Sequence, residues 1–162
     1  MPAPSFLTVL YQHHLWANLR LLEACAGLSD EQLDTTVAGT FGSIRDTLQH
    51  LVLAEQGYFS RISTGRRLQR PEGAPPPTMA QLADSLRQTG AGLIDWASRV
   101  QGDDAVEIDW DGELRSVPKT ILLTQAINHA TEHRSQVMTI LTQLGVQPPD
   151  CDAWTYYEAT GR

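Results

Sequence analysis

Apolar positions recur at three-and-four spacing along most of the chain, which is the signature of amphipathic helices. Phe6, Leu10, His13, Ala17, Leu21, Ala24 and Leu28 form the first stripe and predict a helix over about residues 5–27, with Gly27 as its stop. Ser29-Asp30-Glu31-Gln32 follows with a capping-box pattern and predicts one short helical turn. Ser43 can cap a second long helix, with Asp46 at its third position, where a negative charge suits the helix dipole. Its stripe is Ile44, Leu48, Leu51, Tyr58 and Ile62, interrupted by Glu55 and ended by Gly65. Residues 65–77 hold Gly65, Pro71, Gly73 and the run Pro75-Pro76-Pro77, a proline-stiffened connection rather than a domain boundary.

Thr78 with Gln81 repeats the capping box and opens a third helix to about residue 100, striped by Leu82, Leu86, Leu93, Ala97 and Val100. The period then changes. Val106, Ile108 and Trp110 alternate before Asp111-Gly112, and an Asp-Gly pair between alternating segments predicts a β-hairpin. Pro118 suits a first helical position, and a fourth helix runs to about residue 144, stopped by Gly145 and Pro148. Its inward face is Leu122, Ala126, His129, His133, Val137, Ile140 and Leu144. Trp154, Tyr156 and Tyr157 in the tail are expected to pack back onto the helices. Four helices of roughly 22–27 residues, at about 1.5 Å per residue, make an all-α four-helix bundle with a small hairpin between helices three and four. The connection after the second helix is long enough for a crossover along the bundle.

Composition narrows the function. At 162 residues a single domain with a substantial core is expected. The formal charge of −7 lacks the footprint of a nucleic-acid binder. Two cysteines far apart in sequence form no disulfide scaffold, which favours a reducing cytoplasm. No apolar run approaches the ~20 residues of a membrane span. The N-terminus lacks the basic and apolar regions of a signal peptide, so none is expected.

The chemistry rests on histidines. His129 and His133 are four apart on a helix, hence on one face, and both replace apolar residues of an inward stripe. Such a pair can bind one metal ion. It can equally be one hydrogen-bonded core histidine and one solvent-facing neighbour. His129-Ala130-Thr131-Glu132-His133 also matches the inverted zinc-protease pattern H-x-x-E-H, with Glu132 as general base, though a pattern this short arises often by chance. His50 lies on the edge of the second helix's apolar face, where a boundary histidine is the alternative to a ligand. Three protein ligands plus an open position is the plan of a catalytic metal site, and a bundle core can supply them from two helices.

Taken together, these residues resemble the DinB/YfiT-like superfamily. Residues 11–22, with Trp16-Ala17-Asn18 before Leu21-Leu22, are similar to its first-helix signature. Residues 42–51, ending in His50-Leu51, resemble the second-helix motif that bears one ligand. Residues 128–137, with His129 and His133, resemble the fourth-helix motif that bears two. The ordered set spans nearly the whole chain. The resemblance implies an up-down-down-up bundle and a divalent ion held by His50, His129 and His133, with water completing the shell. Zinc, nickel and iron all suit three imidazoles. It further implies a homodimer and a small-molecule substrate. The family includes thiol-dependent S-transferases and isomerases that use low-molecular-weight thiols, and hydrolase-like members. A non-catalytic metal-binding stress-response protein is the alternative. The segment Trp154-Thr155-Tyr156-Tyr157-Glu158 departs from the family's closing segment.

Other residues have two readings each. His13 and His14 are boundary or surface histidines, or one of them lines the pocket. Glu55 is an acceptor for an imidazole N–H or a partly exposed carboxylate, and Gln49, Glu132 and Arg134 stand similarly. Cys25 reads as a small core residue, Cys151 as a tail thiol with nothing nearby to lower its pKa. Tyr58, Trp16 and Trp96 read as core aromatics.

Overall fold

The computed structural model describes residues 4–71 and 73–161. Residues 1–3, part of the segment read for a signal peptide, lie outside them. Among the described residues the chain forms six helices and one two-stranded sheet. Helix α1 spans Phe6–Cys25, α2 Asp30–Leu33, α3 Ile44–Thr64 and α4 Met79–Arg99; strands β1 (Ala105–Trp110) and β2 (Glu113–Pro118) follow; α5 spans Lys119–Gln143 and α6 Ala153–Thr160. None of these helices is long and apolar enough to cross a membrane.

The local signals act where the sequence places them. Ser29, Ser43 and Thr78 each close a reciprocal capping box, with Gln32, Asp46 and Gln81 as partners. Gly65 ends α3 in the left-handed region at φ 70°, which a residue without Cβ adopts cheaply. The hairpin turns on Asp111 (φ 55°) and Gly112 (φ 88°), both positive as a type I′ turn requires, and pairs Trp110 with Glu113. Pro118 differs from expectation. It pairs with Ala105 as the last residue of β2 and stands as the extended N-cap of α5, not as its first turn.

Side-chain contacts fix the directions of the four long helices. Tyr11 and Asn18 of α1 meet Leu123 and Arg134 of α5, so those helices run the same way. Glu55 of α3 meets Thr89 of α4, and four residues on Phe59 lies where a Cβ on Gly92 would overlap its ring, so that pair is parallel too. His50 meets His129, whereas Phe41 just before α3 meets Gln136, so α3 and α5 are antiparallel. The result is up-down-down-up.

The apolar interior has two parts. One gathers Leu21, Ile44, Leu48, Leu51, Leu86, Val137 and Ile140, and the other Tyr11, Ile62, Leu93, Ile108, Leu122 and Leu123. Along α1, α3 and α4 the buried polar residues His14, Asn18, Glu55 and Thr89 fall between these two groups. This explains a shift on α1. The stripe through Phe6, Leu10 and His13 is not the buried face; Phe6 is 78% exposed, and Tyr11, His14, Asn18, Leu21 and Cys25 point inward. Hydropathy counts His14 and Asn18 as outward, but hydrogen-bonded partners remove most of the burial penalty. The tail also differs. Tyr156 packs against Trp16 and His13, but Trp154 and Tyr157 are exposed, because about 100° per residue on α6 turns them to other faces. Trp16, Tyr58 and Trp96 are half-buried rather than core.

Candidate metal centre

The capping box at Ser43 fixes where α3 begins, and His50 sits two turns in. The antiparallel neighbour α5 presents His129 and His133 one turn apart. The three rings form one cluster, with centroids 4.9 Å apart for His50–His129, 4.8 Å for His50–His133 and 4.4 Å for His129–His133. Their ligand-capable atoms all lie within 4.8 Å of one another. His50 Nε2 and His129 Nε2 face each other at 3.0 Å. Two nitrogens at about 2.0–2.1 Å from a tetrahedral zinc ion would be about 3.3 Å apart, so the pair is near the spacing a shared cation needs.

Electrostatics favour the ligand form. Burial, with the neighbouring His133 and His50, holds the His129 imidazolium down to about 4. Burial and His133 lower His50 as well. These two rings are therefore neutral at pH 7 and carry lone pairs, as ligation requires. The donor set is three imidazole nitrogens; among the described residues no carboxylate or thiol joins the cluster. Such a set fits a divalent ion of the zinc, nickel or iron kind.

Three residues around the cluster were not singled out from sequence as its neighbours. Phe41, in the loop before α3, stacks on His50 at 4.2 Å and 18° and meets His133 edge-on at 5.3 Å. Tyr58 meets His129 edge-on at 5.8 Å. Gln136 Oε1 contacts His133 Nδ1 at 3.0 Å and Phe41 N at 3.1 Å. Gln136 had a readable signal, since three residues on from His133 it shares that helix face. Tyr58 lies on the apolar stripe that bears His50, whereas no periodicity reaches the Phe41 loop.

The remaining candidates separate from the cluster. Glu55 is buried, not exposed, and its imidazole partner is His14 rather than a cluster histidine. His14 Nε2 lies 2.8 Å from Glu55 Oε2, Asn18 Nδ2 donates to the same oxygen at 3.1 Å, and Thr89 Oγ1 donates to Oε1 at 2.5 Å. Arg134 joins through Asn18 Oδ1 at 2.6 Å. His13 is half-buried, its Nε2 2.9 Å from the Cys151 carbonyl oxygen. Glu132 is exposed and outside the cluster, and Gln49 is half-buried. Burial pushes the Cys25 thiol up to about 12. Cys151 is also raised by burial, although Arg134 and Arg20 stand near enough to oppose that shift, two cations the sequence did not place beside it.

The DinB family model matches residues 1–162, so the chain belongs to the DinB family. Two solved structures share its fold. A DinB-like protein from Bacillus cereus ATCC 10987 is 22% identical, covering 86% of this chain and 91% of that one, with a TM-score of 0.63. A candidate member of the DinB family from Exiguobacterium sibiricum 255-15 is 20% identical, covering 93% and 100%, with a TM-score of 0.64. No curated protein matches the chain.

Proposed function

We propose that this protein is a metal-dependent enzyme acting on a small molecule, with a divalent ion held by His50, His129 and His133. The observation that carries this reading is the convergence of three histidines from α3 and α5 on one point, within 4.8 Å. Two of them are held neutral by their surroundings. When bound, the ion supplies Lewis acidity that activates a water or thiol nucleophile. Three protein ligands leave a position for that nucleophile, which is the arrangement of catalytic rather than structural sites.

The chain's own residues limit where a nucleophile can come from. Both cysteines lie outside the cluster, Cys25 buried in the core and Cys151 in the tail. A thiol acting at this site would therefore come from the substrate; thiol S-transfer and hydrolysis are the two candidate chemistries that the family resemblance implies. The half-exposed Phe41 ring against His50 and the Tyr58 ring against His129 give the site apolar walls.

Cobalt substitution tests the open position. The visible spectrum of the cobalt-loaded protein should change on adding azide or a low-molecular-weight thiol. An inert spectrum would contradict the enzyme reading and favour the non-catalytic metal-binding protein, whose shell is closed.

A further inference from the structure

The contacts of Gln136 determine which nitrogen of His133 carries the proton. Its Oε1 lies 3.1 Å from the Phe41 backbone nitrogen and 3.0 Å from His133 Nδ1. A backbone N–H can only donate, so the carboxamide must turn its oxygen, not its NH2, toward Phe41. That oxygen cannot donate. His133 Nδ1 must then hold the ring proton for the second contact to be a hydrogen bond. A neutral imidazole has one N–H, so the lone pair is left on Nε2.

We propose that Gln136 is a positioning residue: one carboxamide oxygen locks His133 in the Nδ1–H tautomer, leaving Nε2 as its metal-binding atom, and pins the Phe41 loop beside the site. The inference rests on the metal-site reading of the three histidines. The double contact gives it its force. The Phe41 ring stacks on His50 at 4.2 Å and meets His133 at 5.3 Å, so the same oxygen sets a ligand's tautomer and the aromatic wall beside two ligands. His133 is itself buried, which leaves little water to replace a lost acceptor. Without Gln136 the imidazole is free to place its proton on Nε2, where it blocks ligation. Partners of this kind typically change metal affinity 10–100-fold when removed.

Two variants of the full chain separate the lock from simple packing. Gln136→Met keeps the length of the side chain and removes the acceptor. Gln136→Glu keeps an acceptor for both donors. Zinc affinity is read by competition with a chromophoric chelator, and the His133 tautomer by long-range 1H–15N NMR of the metal-free protein. Melting temperatures of the metal-free proteins check that each variant folds. The wild-type protein should show the Nδ1–H tautomer. Gln136→Met should lose it and bind zinc about 10–100-fold more weakly. Gln136→Glu should restore both the tautomer and the affinity. An Nε2–H tautomer in the wild-type protein overturns the proposal whatever the variants do. So does unchanged zinc affinity in folded Gln136→Met, or a loss in Gln136→Glu as large as in Gln136→Met. If the wild-type chain takes up none of zinc, nickel and iron(II), the metal-site reading falls instead, and the tautomer measurements alone decide the role of Gln136; if it takes up nickel or iron(II) but not zinc, the same affinity comparison is read with that metal.

Discussion

His14 on α1 and Glu55 on α3 meet at 2.8 Å in the middle of the bundle, with side-chain exposures of 1% and 2%. The pair sits in a polar layer between two apolar groups and draws in Asn18, Thr89 and, through Asn18, Arg134. A buried carboxylate this well supplied with donors is tolerated because each contact replaces lost hydration. Removing it takes an acceptor from His14, Asn18 and Thr89 and the nearby negative charge from the buried Arg134 guanidinium. Glu55→Ala should therefore lower the free energy of unfolding by about 3–5 kcal/mol in urea titrations. Zinc uptake by the folded fraction should persist, since Glu55 is not part of the three-histidine cluster. A loss below about 1 kcal/mol, the range of a solvated ion pair, would show that the layer does not depend on this carboxylate.

Ser43 links the fold to the site. Its hydroxyl accepts from Asp46 N at 3.0 Å and closes the capping box at the start of the helix that carries His50. Ser43→Ala should cost about 1 kcal/mol, within the usual range of about 0.5–2 for a lost N-cap. Thermal or urea unfolding measures it directly, and an unchanged midpoint would mean that Asp46 alone holds the helix end.

The Cys25 thiol gives a pH dependence of known sign. Its folded pKa is raised to about 12, whereas an unfolded thiol ionises near about 8.5. Between those values the unfolded chain releases a proton that the folded chain keeps, so the native state binds more protons and stability falls as pH rises. The contribution is fully present below about pH 8.5 and is lost through that alkaline window. The urea midpoint should decline from pH 9 upward, less steeply in Cys25→Ala. Under native conditions at pH 8, Cys25 should resist alkylation until the protein unfolds.

Most of the fold was legible because its signals are local. Capping boxes at Ser29, Ser43 and Thr78, the glycine stop at Gly65 and the Asp111-Gly112 turn each act within a few residues. The crossover topology and the ligand set came from the likeness of three motifs, and the structure brings those three histidines together. The Phe41 contact was not legible, because a loop's approach to a helix two elements away leaves no periodicity. The buried face of α1 differs from its hydropathy stripe for a related reason. Hydropathy cannot know that His14 and Asn18 will find Glu55 and Arg134, residues far away in sequence. Short α6 is not legible either, since eight residues capped by Asp152 carry too little pattern to separate a helix from a loop.

The most direct test of the metal site is the metal content of untagged protein by elemental analysis. Protein is incubated separately with zinc, nickel and iron(II), dialysed and compared with folded His50→Ala, His129→Ala and His133→Ala variants. The wild-type chain should retain about one divalent ion per chain from at least one of the three metals, and each substitution should abolish or sharply reduce that retention, because each removes one of the three proposed histidine ligands. A wild-type protein that stays metal-free with all three metals, or histidine variants that hold as much metal as the wild type, would contradict the account.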